Sequence, residues 1–136
     1  MDNNIKDLIK ETIDVSKRAY TPYSKFNVGA LLVLQDGTKI FGVNVENASF
    51  GLSNCAERSA IFSLISLGYN PKDIKTMVIV GNTNEPISPC GACRQVLAEL
   101  LPIDTKIYLS NYKFDIKETS VSYLLPYSFD FFKDKK

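Results

Sequence analysis

The stretch Ser53-Asn54-Cys55-Ala56-Glu57-Arg58-Ser59-Ala60 organises this chain, because it begins a predicted helix with a thiol and a carboxylate close together. A second stretch, Ser88-Pro89-Cys90-Gly91-Ala92-Cys93-Arg94, begins another predicted helix. Together the two stretches hold all three cysteines, and the chain has no histidine. Two cysteines three positions apart at a helix start share one face, so they can bind a metal ion together with a third thiolate.

The ligand count favours an open, catalytic zinc site. Structural zinc sites use four protein ligands, whereas catalytic sites use three and leave one position to water. Cys55, Cys90 and Cys93 supply three, and Glu57 is the candidate general base for a water whose pKa zinc lowers to about 7. Two alternatives stay open: a redox or buried pair at Cys90 and Cys93, and a capping box between Glu57 and Asn54.

Two arginines accompany the cysteines. Three thiolates around Zn²⁺ leave a net charge of −1, which weakens the metal as an activator of water. A guanidinium that donates to the sulfurs offsets this charge. Arg58, one turn after Cys55, is a better candidate for that role than Arg94, although either arginine can be an ordinary surface charge.

Composition narrows the class of protein. A chain of 136 residues predicts a single domain over 1–136, and 45% hydrophobic with 23% charged residues is an ordinary globular balance. No apolar run reaches 18 residues and the first residues are polar, so neither a membrane span nor a signal peptide is expected. Three cysteines suit a reducing compartment, which favours the cytoplasm. A net charge of +1 gives no attraction to nucleic acid, and Lys133, Lys135 and Lys136 are interpreted as a solvated end.

Alternating helix and strand patterns predict a three-layer α/β/α fold with one five-stranded mixed sheet. Helices are predicted at 5–20, from a cap at 53 or 54 to about 67, from a cap at Ser88 to 101, and at 121–125; strands are predicted at 28–34, 38–43, 76–80, 106–109 and 115–119. Asp36-Gly37 predicts a hairpin between the first two strands. The link before the last strand is too short for a parallel crossover, so that strand is predicted to be antiparallel.

Similarity to a known family lies in the segments 19–30, 44–49, 55–58, 89–96 and 124–129. They resemble the small zinc-dependent cytidine deaminases. The resemblance implies the cytidine deaminase-like fold, one Zn²⁺ per subunit, and hydrolytic deamination of cytidine and 2'-deoxycytidine in pyrimidine salvage. In that reaction zinc-bound hydroxide attacks C4 of cytosine, and a glutamate that is not a ligand, matched by Glu57, shuttles the proton.

The resemblance also implies substrate-binding residues. Asn44 and Glu46 match positions that hydrogen-bond the ribose hydroxyls. Phe26 matches the position that packs on the pyrimidine. The backbone at Ala56 and the turn 88–90 match the contacts to the edge of the base.

The resemblance implies a homotetramer in which Phe129 reaches into a neighbouring subunit's site. Phe50 stands where many relatives carry tyrosine, so a hydroxyl bond at that position is not expected. Three alternatives remain: a deaminase of another cytosine compound such as blasticidin S, a polynucleotide editor, and a zinc or redox protein without enzymatic activity. The ribose motif at Asn44 and Glu46 argues against the first, and the near-neutral charge argues against the second.

Overall fold

The computed structural model describes residues 2–130 and the side chains of residues 4–130, so the predicted basic end at Lys133, Lys135 and Lys136 lies outside the described part. The helices are α1 (Asp2–Ser16), α2 (Ala56–Ser66), α3 (Gly91–Leu100) and α4 (Val121–Leu124), and the strands are β1 (Val28–Leu34), β2 (Lys39–Val43), β3 (Ile74–Gly81), β4 (Lys106–Asn111) and β5 (Ile116–Thr119). Short 3₁₀ helices occur at Phe50–Leu52 and Pro71–Asp73. None of the helices within 2–130 combines the length and apolar character needed to cross a bilayer.

The five strands form one mixed sheet in the order β2-β1-β3-β4-β5. β3 and β4 are parallel, and the other neighbouring pairs are antiparallel. Gly37, with φ 92°, makes the turn of the β1–β2 hairpin, as glycine readily adopts this conformation. The predicted mixed sheet and the predicted antiparallel last strand are both confirmed.

Helices cover both faces of the sheet. One apolar cluster packs α1 against β1, β3 and β4, and a second packs α2, α3 and α4 against the opposite face. Leu31 and Leu32 are both fully buried and belong to different clusters, which explains the almost continuous apolar run of β1. The three-layer α/β/α prediction is therefore confirmed.

The predicted end of α1 at Tyr20 is wrong, since the helix stops at Ser16. Tyr20 instead lies in a parallel bridge with Val45, where its amide donates to the Asn44 carbonyl oxygen at 3.0 Å and its own carbonyl accepts from the Glu46 amide at 2.9 Å. A strand-like partner distant in sequence thus overrides the helical pattern.

The predicted caps of the two cysteine helices are also wrong, because the cysteines themselves occupy the N-cap positions. Asn54 pairs with Val45 through two backbone hydrogen bonds of 2.9 and 3.0 Å, which leaves Cys55 as the N-cap of α2. Ser88 lies in the segment 86–90, which forms neither helix nor strand and is attached to β4 by a hydrogen bond from the Ile87 amide to the Ser110 carbonyl oxygen, so α3 begins after Cys90.

Gly42 of β2 sets how closely α2 approaches the sheet. A Cβ atom at this position would lie 2.3 Å from the Ala60 amide nitrogen and 2.6 Å from the Ala56 carbonyl oxygen. These are backbone atoms of α2 that no side-chain rotation can move. The helix that follows the Cys55 N-cap therefore rests directly on the glycine backbone.

Candidate metal centre and substrate cavity

Three thiols meet where the N-termini of α2 and α3 converge. Cys55 is the N-cap of α2, Cys90 is the N-cap of α3, and Cys93 lies in the first turn of α3. Their sulfurs all lie within 4.8 Å of one another, and those of Cys55 and Cys90 are 3.8 Å apart. Because the N-terminal end of a helix carries partial positive charge, both helices favour thiolate over thiol at this point.

The sulfur cluster fits a zinc ion. Zinc bonds thiolate sulfur at about 2.3 Å in tetrahedral geometry, which places neighbouring sulfurs roughly 3.8 Å apart. The separation of Cys55 and Cys90 matches that edge. Three soft sulfur donors select zinc over magnesium or calcium, and they leave one tetrahedral position to water or substrate.

Arg58 lies against this cluster. Its Nη2 donates to the Cys55 sulfur at 3.5 Å, while its Nε is buried and has no hydrogen-bond partner among the described residues. Its hydrogen bonds to Cys55 and Cys93 raise the pKa of Arg58 above its ordinary value. The arginine therefore supplies positive charge to a site that collects negative charge on binding metal.

The pKa values of two of these thiols, Cys55 and Cys93, shift in opposite directions. The hydrogen bond from Cys93, aided by those from Arg58 and Cys90, lowers the pKa of Cys55 to about 5. The same bond to Cys55, together with burial, raises the pKa of Cys93. Since metal binding requires deprotonated thiols, loading the site releases protons.

Glu57 lies in the first turn of α2 and is only 4% exposed. Burial, together with the negative charge of Cys55, raises the pKa of Glu57 to about 7. A carboxyl group with this pKa can both accept and release a proton near neutral pH. The capping box with Asn54 is not formed, because the Asn54 amide donates to the Val45 carbonyl oxygen instead.

A cavity of about 440 Å³ opens beside Cys55. Its lining includes Tyr23, Ser24, Asn44, Glu46, Phe50 and Cys55. The rings of Tyr23 and Phe50 meet edge to face with centroids 6.3 Å apart. One cavity therefore joins a candidate metal ligand to both residues expected to bind ribose.

The two ribose candidates also hold the loop that precedes β1. Asn44 accepts from the Val28 amide and donates to the Phe26 carbonyl oxygen, both at 2.8 Å. The Glu46 carboxylate accepts from the amides of Tyr23 and Ser24 at 3.1 Å and from the Ser24 hydroxyl. These bonds fix the orientation of both side chains before any ligand arrives.

Sequence reasoning missed Ser24. Its hydroxyl donates to Glu46 and accepts from the Phe26 amide at 3.0 Å, so one side chain connects two of the expected substrate-binding residues. A single serine in a loop carries no recognisable signal, since its partner Glu46 is 22 positions away.

The remaining candidates lie in different surroundings. Ala56 is fully buried directly after Cys55, and Phe26 is 39% exposed, near Gly81. Phe129 is 65% exposed, and its carbonyl oxygen accepts from Gln95 Nε2 at 3.1 Å. Among the described residues, neither Phe26 nor Phe129 lines the cavity that contains Glu46.

Comparison with known proteins finds one family and close relatives. Residues 2–110 match the model of the cytidine and deoxycytidylate deaminase zinc-binding region. A cytidine deaminase from Halalkalibacterium halodurans is 54% identical over 122 residues, which cover 90% of this chain and 91% of the relative. A cytidine deaminase from Sporosarcina psychrophila is 46% identical over 126 residues, with 93% and 91% covered.

A solved structure shares the fold closely. The crystal structure of cytidine deaminase from Burkholderia pseudomallei matches with a TM-score of 0.88 and 48% sequence identity. The match covers 91% of this chain and 98% of that chain. The similarity therefore extends over most of the chain.

Proposed function

This chain belongs to the cytidine and deoxycytidylate deaminase family and is a zinc-dependent hydrolytic enzyme, and from that premise we propose that it deaminates cytidine and 2'-deoxycytidine. The products are uridine or 2'-deoxyuridine and ammonia, a reaction of pyrimidine salvage. One observation carries the proposal: the buried carboxyl group of Glu57 interacts with Cys55 and Cys93 of the three-thiol cluster, and Cys55 also lines the cavity that contains Asn44 and Glu46.

Cys55, Cys90 and Cys93 are the proposed metal ligands. When bound there, zinc lowers the pKa of water at its open position to about 7 and so provides a nucleophile for C4 of cytosine. Arg58 offsets the excess negative charge of three thiolates by donating to Cys55.

Glu57 is the proposed proton carrier. Its carboxylate takes a proton from the attacking water and delivers it to N3 of the ring, which makes C4 more electrophilic. It then takes the second proton, from the hydroxyl group newly formed on C4, and transfers it to the exocyclic amino group; the C4–N bond breaks, ammonia leaves and the C4 oxygen becomes the carbonyl of uridine. Cytidine and water are thereby converted to uridine and ammonia, with Glu57 restored. Its raised pKa of about 7 suits both halves of this cycle.

Asn44 and Glu46 are the proposed ribose contacts. Glu46 retains acceptor capacity beyond its loop bonds, and Asn44 retains one amide hydrogen. A site that recognises sugar hydroxyls favours a nucleoside over a free base. Phe26 is proposed to pack on the pyrimidine, and the backbone at Ala56 and in the turn 88–90 is proposed to contact its edge.

The experiment that tests this proposal measures the release of ammonia from cytidine and 2'-deoxycytidine by protein of known zinc content. Glu57→Gln is expected to retain zinc and lose at least about 10²–10⁴-fold in kcat, because its amide cannot carry the proton. Glu99→Gln, an exposed change on α3, is the matched control. Failure of fully zinc-loaded wild-type protein to release ammonia would overturn the proposed reaction, and a near-normal rate in Glu57→Gln would overturn the assigned role.

A homotetramer is the proposed assembly, with Phe129 of one subunit completing a neighbour's site. The exposed ring of Phe129, which lies outside its own chain's cavity, supports this arrangement. Mixing Phe129→Ala subunits with Glu57→Gln subunits is expected to restore activity, since some sites then combine an intact Glu57 with an intact Phe129. Verified mixed assemblies without restored activity would contradict a shared site.

The three free cysteines support the further proposal of a reducing, cytoplasmic location.

A further inference from the structure

Arg94 makes three side-chain hydrogen bonds that connect separate parts of the chain. Its Nε donates to the Pro89 carbonyl oxygen at 2.9 Å, its Nη2 to the Ser88 hydroxyl at 2.6 Å, and its Nη1 to the Leu124 carbonyl oxygen at 2.8 Å. Two of these partners directly precede Cys90, and the third ends α4. A single guanidinium therefore joins the turn that carries a candidate ligand to the C-terminal part of the described chain.

The turn before Cys90 is held at its start by Ile87, whose side chain packs against the core. Residues 86–90 form neither helix nor strand, and Cys90 has an extended backbone with φ −70° and ψ 167°. The amide of Ile87 donates to the Ser110 carbonyl oxygen at 3.2 Å, which anchors the start of the turn to β4. The Arg94 side chain bonds the two residues between Ile87 and Cys90, and its backbone amide donates to the Cys90 carbonyl oxygen at 2.9 Å.

The segment 121–130, which Arg94 joins to the turn before Cys90, contains little regular secondary structure. α4 has only four residues, and residues 125–130 form neither helix nor strand. Gln95, the neighbour of Arg94 on α3, donates to the Phe129 carbonyl oxygen at 3.1 Å. Two consecutive side chains of α3 thus hold Leu124 and Phe129 against the helix that bears Cys93.

We propose that Arg94 is a positioning residue that fixes Cys90 for zinc and couples the metal centre to the segment 121–130. The proposal rests on the metal site proposed above. Because the donors of a guanidinium are fixed in one plane, its partners on the turn and on α4 cannot shift independently of one another. A lysine has the same charge but donates from one nitrogen atom, so it cannot reach all three partners.

The first test measures zinc release from the loaded full-length protein into an excess of a chromophoric chelator. Arg94→Gln and Arg94→Lys are each expected to release zinc about 10- to 100-fold faster, as is typical when a partner that orients a metal ligand is removed. Arg18→Gln, which removes the same charge from an exposed turn, is the matched control. A wild-type release rate in both Arg94 variants, or in Arg94→Lys alone, would overturn the proposal.

Two further measurements separate positioning from general destabilisation. Ser88→Ala removes one bond with little risk to folding, and it is expected to give a smaller increase in release rate in the same direction. The visible absorption spectrum of the cobalt(II)-substituted protein reports ligand geometry directly. It is expected to change in Arg94→Gln and to stay unchanged in Arg18→Gln, and identical spectra in wild type and Arg94→Gln would count against positioning.

Amide hydrogen exchange tests the coupling. Removing zinc from wild-type protein is expected to speed exchange in the segment 121–130, whereas in Arg94→Gln exchange there is expected to be fast with and without zinc. If the amide exchange rates in the segment 121–130 change neither on removal of zinc nor in Arg94→Gln, the coupling is overturned. None of these measurements uses turnover, so loss of deamination in wild-type protein would overturn the proposed function while the release rates still test Arg94.

Discussion

Replacing Arg58 by alanine tests how far the protein compensates the charge of its sulfur cluster. The distance from Arg58 Nη2 to the Cys55 sulfur is 3.5 Å. Two unit charges at this distance attract by about 5 kcal/mol at an effective dielectric of 20 and by about 1 kcal/mol in water. Arg58 is partly exposed, so the effect falls between these limits, near the roughly 1.5–3 kcal/mol of a hydrogen bond to a charged group.

That free energy corresponds to about 10- to 100-fold weaker zinc binding in Arg58→Ala, since each 1.4 kcal/mol is a factor of about ten. The assay is competition for zinc with a chromophoric chelator, together with steady-state turnover of the zinc-saturated variant. Arg58→Lys, which keeps the charge and loses the planar donor, is expected to fall between wild type and alanine.

Arg18→Ala is the matched control, because it removes the same single charge from a chain of net charge +1 at an exposed position. Its zinc affinity is expected to equal that of wild type. Equal zinc affinity and equal turnover in Arg58→Ala and wild type would refute the reasoning, since the sulfur cluster would then need no compensating charge.

Two other substitutions test the surroundings of the site. Ser24→Ala is expected to raise KM for cytidine about fivefold while kcat stays within twofold. The reason is that Glu46 loses one hydrogen bond that orients it, which costs about 1 kcal/mol of substrate-binding free energy. A lower kcat at unchanged KM would contradict this expectation. Gly42→Ala is expected to lower the free energy of unfolding by about 1–3 kcal/mol and to reduce turnover, because the added methyl group meets backbone atoms of α2. Denaturant unfolding measures the free energy of unfolding of each variant. Gly51→Ala is the control, because no atom lies within 4 Å of the Cβ position at Gly51. Equal stability of the two variants would argue against the close contact at Gly42.

The sequence predicts the sheet well because its strands are recognised from short-range patterns. The apolar run of β1 and the Asp36-Gly37 turn are each recognised from a few consecutive residues. The structure has both features as expected. The clustering of three sulfurs was also predictable, since a chain without histidine leaves few ways to complete a zinc site. In these cases residue type alone carries the information.

Helix ends and loop contacts were not predictable, because they depend on partners far away in the sequence. Tyr20 leaves the helical pattern to pair with Val45, which lies in the loop after β2. Ser88 has the residue type of a cap, but its hydroxyl accepts from Arg94 and Cys90 is the N-cap of α3. The link from Ser24 to Glu46 likewise becomes visible only in three dimensions.

The direct contact between Gly42 and α2 fixes one side of the site, whereas other residues of the cavity lining are exposed and free of such a constraint. A single methyl group added at Gly42 would meet the backbone of α2, the helix that carries Glu57 and has Cys55 as its N-cap. The cavity lining also includes exposed side chains outside α2 and the sheet, such as Tyr23 and Phe50. Substitutions at Tyr23 or Phe50 are therefore expected to change the shape of the cavity without altering the contact between Gly42 and α2.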